Sequence, residues 1–288
     1  MFNFYETILN TPDYYKQLSV GESLITIYNC PLENRFADIW ANLHYILYVT
    51  EGKKVWHTSH GSYELNKGDC VFVRKGGCIV EQFFDTPFCL FVFFISDDFI
   101  CETLQSKSIP IAKVIDHHFD PLFPIHTNEP LEAFFHSMSS YFSMNKNPDS
   151  SLLELKFREL ILTIADDTNN KTILSYFCSL LHQPQSVTLQ QIMEDNFCYN
   201  LSLEAFAKLC NRSLSAFKRD FQKTFDTSPG KWLLERRLQH AHHLLNHLNK
   251  TVSEAAFESG FENTSHFSRA FKLRYGKSPL SVKQILLS

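Results

Sequence analysis

Two stretches near the carboxy end of this 288-residue chain repeat one another, and that duplication restricts the fold more than any other feature. The first reads Phe217-x-Arg219-x-Phe221, then Ser228-Pro229; the second reads Phe267-x-Arg269-x-Phe271, then Ser278-Pro279, 50 residues later at every position. Upstream, Ala207 and Ala256 correspond at an offset of 49, so one residue has been added inside the second copy. Two copies make a duplicated supersecondary unit and not a solenoid, which stacks more of them.

Each copy opens on a residue suited to cap a helix: Ser202 before Leu203, and Thr251 before Val252. Each short helix then meets a turn, at Cys210-Asn211-Arg212 or at Ser259-Gly260-Phe261. Gly260 can supply the left-handed residue there, and Asn211 can do so in the first copy. A longer helix follows, from about Ser213 to Phe225 and from about Asn263 to Tyr275, which completes a helix-turn-helix plan. Phe217 and Phe221, like Phe267 and Phe271, are four apart and should point together into a core.

The opposite faces carry Ser213, Ser215, Ala216, Lys218, Arg219 and Gln222 in the first copy. The second carries Asn263, Thr264, Ser265, His266, Arg269 and Lys272, with Ser268 among them. Small polar residues let a helix approach closely; Arg pairs with guanine O6 and N7, while Ser and Thr serve either base. A solvated helix face is the plain alternative, and the second copy at a fixed offset weighs against it. Between the copies, Pro229 starts a run to Leu245 with an apolar stripe of Leu234, Leu238, Ala241 and Leu245. A helix of about 17 residues spans roughly 25 Å. Such a strut could hold two reading helices near one turn of DNA apart, ~34 Å.

Charge separates the chain the same way. The formal net charge is −4, but the residues from Val187 onward carry +5 and the remainder −9. A basic back half suits a polyanion. The start, Met1-Phe2-Asn3-Phe4-Tyr5-Glu6, has neither a basic region nor an apolar one, so no signal peptide is expected. The longest apolar run, Phe88 to Ile95, is far short of the ~18 residues a spanning helix needs. The eight cysteines are scattered without a Cys-x-x-Cys pair, which favours reduced thiols. A cytoplasmic protein without membrane association is expected.

From about Ser23 to Ile95 the pattern is short and extended. Tyr45 to Val49, then Glu51-Gly52, then Lys54 to His57 reads as a hairpin. Gly61, Gly68-Asp69 and Gly76-Gly77 punctuate further strands, including Cys70 to Val73 and Phe88 to Phe94. A β-sandwich or small barrel follows. After about Asn128 the period becomes helical: Leu131, Phe134, Phe135, Met138, Tyr141 and Phe142, then Leu152, Leu155, Leu160 and Ile164, then Ile173 to Leu181. Pro184-Gln185-Ser186 is the linker candidate. The expected organisation is a β domain over 1–127, helices over 128–183, a linker at 184–187 and an all-α domain over 188–288. The fold class is α+β, with two helix-turn-helix units joined by a linker helix.

The segment from about Asn200 to Gln284 resembles the two-repeat DNA-binding domain of the AraC/XylS regulators. The resemblance rests on Ala207, Phe217-x-Arg219-x-Phe221, Pro229, Arg237-x-x-x-Ala241-x-x-Leu244-Leu245, Ala256-x-x-x-Gly260-Phe261, Phe267-x-Arg269-x-Phe271-Lys272, Tyr275-Gly276 and Ser278-Pro279. In the first copy Cys210-Asn211 departs from the usual small or glycine-containing turn. Val49-x-x-Gly52, Gly68-Asp69-Cys70-Val71-Phe72-Val73 and Gly76-Gly77 likewise resemble the cupin-like sensor domain of that family. The resemblance implies an activator that binds double-stranded DNA in two successive major grooves and contacts RNA polymerase. Its front half would answer either to a small molecule in its aromatic interior or to a regulatory protein; effector-binding residues are not assigned.

The rival from another class is a metal-dependent cupin enzyme with a helical appendage. His57-x-x-His60 and Glu64 stand where such enzymes carry ligands, but no His occurs between Gly61 and Lys113, and metal sites need three or four convergent ligands. His57 and His60 are read as solvated residues on a turn, His117-His118 as a polar loop, and His240, His243 and His247 as one polar helix face. A third class, a repair protein that accepts methyl groups on Cys, would use Cys78 near Arg74 and Lys75. No Ser-His-Asp spacing and no phosphate loop is found. No catalytic residue, metal or cofactor is therefore expected. The apolar helices between Leu131 and Leu181 serve either a homodimer seam or packing against the sandwich.

Overall fold

The computed structural model describes residues 1–28, 34–84, 87–107, 119–144, 146–182, 189–248 and 250–285. The chain divides into two compact units, Met1–Val187 and Thr188–Ser288. The linker candidate Pro184-Gln185-Ser186 and the pair His117-His118 lie outside the described residues.

Unit 1 begins with β1 (Phe2–Asn3), α1 (Phe4–Leu9), β2 (Gln17–Val20), β3 (Ser23–Tyr28), β4 (Phe36–Ala41) and β5 (His44–Glu51). It continues with β6 (Lys53–Thr58), β7 (Gly61–Asn66), β8 (Cys70–Val73), β9 (Gly76–Gln82) and β10 (Cys89–Ile95). Then come α2 (Asp97–Gln105), β11 (Leu122–Ile125), α3 (Glu129–Ser143), α4 (Ser150–Asp166) and α5 (Lys171–His182). One sheet has the strand order β1-β4-β9-β6-β7 and the other β11-β8-β5-β10-β3-β2.

Alternation along β10 explains the layers. Leu90, Val92 and Phe94 join a core with Ile39, Trp56 and Val80 of the facing sheet. Phe91, Phe93 and Ile95 join a second core with Phe134, Phe135, Phe157 and Phe177 of the helices. Successive side chains of a strand point to opposite faces, so a strand covered on both sides reads as an unbroken apolar run. Most of the apolar excess of α3 to α5 goes into this second core, where Tyr48 stacks on Phe135 at 4.0 Å. Leu152 and Leu155 remain exposed on α4.

The hairpin expected between Tyr45–Val49 and Lys54–His57 is not formed: β5 and β6 belong to different sheets. Gly52, at φ +75°, carries the chain round the corner, and a Cβ there would lie 2.2 Å from the Pro87 carbonyl oxygen. The hairpin partner of β6 is β7. His57 accordingly sits in β6 and not on a turn; His60 occupies the turn.

Unit 2 contains α6 (Leu189–Asn196), α7 (Leu203–Leu209), α8 (Leu214–Phe225), α9 (Pro229–His247), α10 (Val252–Glu258), α11 (Thr264–Tyr275) and α12 (Pro279–Ile285). Leu238, Ala241, Leu244 and Leu245 of α9 pack with Ala255, Ala256, Phe267 and Phe271. Leu234 is exposed, so it drops out of the expected stripe, and Leu233 is buried in its stead.

The corner at Gly52 makes a sharp test. Gly52→Ala should lower the thermal stability of unit 1 by more than ~2 kcal/mol, since strained backbone and a main-chain clash add. Gly68→Ala meets no atom within 4 Å and should cost only the ~1–2 kcal/mol of its positive φ. Equal losses in the two variants would rule out the clash as the constraint.

Candidate nucleic-acid interface

The second helix of each repeat, α8 and α11, is set up by matched local devices. Ser202 caps α7 by accepting from the Ala205 amide. Asn211, at φ 52°, supplies the left-handed turn, and Ser213 caps α8 by accepting from the Ala216 amide. In the second copy Thr251 and Glu254 form a reciprocal capping box on α10. Gly260, at φ +83°, makes the turn, and Asn263 accepts from the Ser265 and His266 amides at the start of α11. Both helices end in left-handed residues, Asp226 and Gly276.

Phe217, Phe221, Phe267 and Phe271 are fully buried. On α8 this leaves Ser215, Lys218, Arg219 and Gln222 exposed, with Ala216 half-buried. On α11, Ser265, His266, Arg269 and Lys272 are exposed, and Thr264 and Ser268 half-buried. Ser213 and Asn263 are exposed too, but their side-chain oxygens are engaged as caps. His266 rests its ring edge-on against Phe261 at 5.9 Å. The strut α9 runs for 19 residues, or roughly 28 Å.

The two faces differ in charge. Asp220 on α8 takes Arg212 at 3.1 Å and Arg219 at 3.5 Å. Among the described residues, no carboxylate pairs with Arg269 on α11. Other arginines of this unit are structural. Arg236 pairs with Glu194 and Arg274 with Glu235, each at 2.8 Å. Arg237 donates to the carbonyls of Phe197 and Tyr199, both at 2.7 Å, and so ties the segment after α6 to α9. Sequence reasoning placed Arg237 in a motif without a role. It also missed Leu273, which follows Ser265 and Arg269 at i+8 and i+4 and is 89% exposed.

The rival sites have other occupations. His57 meets Ser62 at 2.7 Å through Nδ1 and Glu81 at 3.0 Å through Nε2, and Glu81 also accepts from Arg35. Glu64 accepts from the side chain of Asn66. Burial pushes the Cys78 thiol up to about 12, against the thiolate that methyl acceptance needs. His240 packs on Phe197, while the rings of His243 and His247 lie 4.8 Å apart.

Comparison with known proteins covers both units. Residues 44–176 match a family described as ExsA N-terminal regulatory domain, and residues 206–284 match one described as Helix-turn-helix domain. The chain is 27% identical over 240 residues to the virulence regulon transcriptional activator VirF of Yersinia enterocolitica, spanning 82% of this chain and 88% of the relative. It is 24% identical over 254 residues to the HTH-type transcriptional regulator ExsA of Pseudomonas aeruginosa, spanning 80% of this chain and 91% of the relative. Among solved structures, an apo form of ToxT from Vibrio cholerae aligns with a TM-score of 0.43 and 12% identity, over 93% of this chain and 99% of that one.

The second turn can be tested directly. A Cβ on Gly260 would lie 2.7 Å from the Cys198 carbonyl oxygen, whereas one on Gly230 would meet nothing within 4 Å. Gly260→Ala should destabilise unit 2 by more than ~2 kcal/mol in chemical denaturation. Gly230→Ala, inside α9, should be neutral or stabilising by up to ~1 kcal/mol. A tolerated Gly260→Ala would mean the turn can be made without glycine.

Proposed function

Because the chain belongs to the AraC/XylS family of transcription regulators, we propose that it activates transcription by reading DNA with α8 and α11 in two successive major grooves. The observation that carries this reading is the duplicated unit: each copy buries its Phe pair and turns a face of small polar residues, Arg and Lys outward. The reading residues are Ser213, Ser215, Ala216, Lys218, Arg219 and Gln222 on the first copy. On the second they are Asn263, Thr264, Ser265, His266, Arg269 and Lys272. The strut of roughly 28 Å suits two helices set one DNA turn apart.

Unit 1 controls this activity in response to a small molecule or a protein. RNA polymerase is the partner through which activation is delivered, and the protein works in the cytoplasm as a homodimer. The exposed Leu152 and Leu155 on α4 favour a two-fold seam there. Among the described residues, no helix is long and apolar enough to cross a membrane. The relatives VirF and ExsA are named as a transcriptional activator and a transcriptional regulator, which favours this reading over an enzyme.

Retention of genomic fragments by the full-length protein, followed by sequencing, tests the proposal. Enrichment of a site with two elements about one helical turn apart is expected; no enrichment under any solution condition would sink it. On an enriched site, Arg269→Ala should cost ~1–3 kcal/mol and relax the base preference at one position. Lys272→Ala should weaken binding across sequences and reduce the salt slope by about 1. Unchanged affinity and preference in the Arg269 variant would remove that side chain from the reading surface.

A further inference from the structure

Four histidines lie on α9, and packing has divided them. His240 is half-buried, with its ring edge-on to Phe197 at 5.3 Å. His242 is half-buried as well; it stacks on Tyr275 at 4.6 Å and meets the Asn246 side chain at 3.0 Å. His243 and His247 remain exposed. Among the described residues, no hydrogen bond or ion pair engages either of these two rings. The polar face expected from His240, His243 and His247 is thereby reduced to one available pair.

That pair has the spacing of a chelate. Residues four apart on a helix are neighbours on one face, and the two ring centres lie 4.8 Å apart. With Zn–N bonds of ~2.0–2.1 Å, two imidazoles on one ion have ring centres roughly 4.5–5.2 Å apart, for angles between a right angle and the tetrahedral one. The observed separation falls inside that window, so the backbone of α9 need not move for both rings to reach a shared ion. His247 is also the last residue of α9. The unpaired carbonyl groups at the C-terminal end of a helix favour a cation there.

We propose that His243 and His247 chelate a divalent transition-metal ion of the class that prefers imidazole, zinc or nickel, on the exposed side of α9. Imidazole nitrogens suit these ions, whereas Mg²⁺ and Ca²⁺ take oxygen ligands. Among the described residues, no third His, Cys, Asp or Glu converges on the pair. Water therefore completes the coordination, and the site is open and exchangeable, unlike a closed structural zinc site. The spacing exists only while α9 is helical, so the ion favours folded unit 2 over the unfolded chain and stabilises it. It clamps the last turn of the strut, directly before α10 opens the second repeat. The site depends on α9 alone and not on the regulator reading.

Calorimetric titration of the reduced, full-length protein without an affinity tag tests this, with ZnCl₂ and NiCl₂ as probes and MgCl₂ as the control. Saturable binding of Zn²⁺ and Ni²⁺ is expected, and none of Mg²⁺. His243→Ala and His247→Ala should each weaken that binding at least tenfold, because a single imidazole cannot chelate. His60→Ala removes another exposed histidine and should leave it unchanged. Ala is a better helix former than His, so both α9 variants should keep the fold, which far-UV circular dichroism checks. Added Ni²⁺ should raise the thermal midpoint of the unaltered protein and of His60→Ala, but not of the two α9 variants. No saturable binding of either ion up to millimolar concentration, or binding equally tight in both α9 variants, would overturn the proposal. Equal binding of Mg²⁺ would overturn it too, since imidazole would then not be the ligand.

Discussion

The six-stranded sheet of unit 1 is buried on both faces, and this constraint organises everything around it. A sheet in that position cannot hold a polar face, so β5 and β10 must supply apolar side chains in both directions. The helices α3 to α5 are then obligatory cover: without them Phe91, Phe93 and Ile95 would face water, at ~1.5–3 kcal/mol for each large side chain exposed. One polar cluster pins the cover in place. His44 on β5 contacts Asp97 of α2 at 2.6 Å and the Tyr176 hydroxyl of α5 at 3.2 Å, and its Nδ1 accepts the Lys75 amide at 3.0 Å. That amide makes Nδ1 an acceptor, so His44 is neutral and donates from Nε2; burial lowers its basicity in the same direction. Burial alone would raise the Asp97 carboxyl, but the contacts from His44 and Lys75 outweigh it and hold Asp97 well below its ordinary range.

The same double burial joins the core between the two sheets to the helices by a short path. Leu47 belongs to the core between the sheets, while its neighbours Ile46 and Tyr48 point to the other face, where Tyr48 stacks on Phe135 of α3. A closely packed strand has little room to absorb a shift on one face without passing it to the other.

How much of this was legible depends on whether the signal was local. The helix-turn-helix units were, because caps, i+4 Phe pairs and left-handed turns are written within about 25 residues of one another. The alternating strands were also legible, but not their partners. β5 and β6 look like a hairpin because a glycine stands between two β-rich runs; that Gly52 instead crosses between sheets depends on which strands β5 and β6 pair with, and those partners are distant in sequence. Nothing local marks Lys54 for burial; the register of β6 against β9 sets it beside Gln82. Arg237 looked like part of a DNA-binding motif, yet its partners are backbone carbonyls that no pattern in the sequence announces.

Duplication did not leave α8 and α11 equivalent. The first turn uses Asn211 in a left-handed conformation, which costs a non-glycine residue roughly 1–2 kcal/mol. The second uses Gly260 where no Cβ fits. Asp220 draws Arg219 partly away from a polyanion, whereas Arg269 is not so restrained. Lys223 of the first helix corresponds to Leu273 of the second at the 50-residue offset, so a cation is matched by an exposed apolar side chain. A cation there suits a phosphate, and an apolar group suits a thymine methyl. Two helices with unlike charge and unlike apolar surface cannot read the same half-site equally well. If α8 and α11 read DNA as proposed, their differences favour an asymmetric site, and one chain carries both helices.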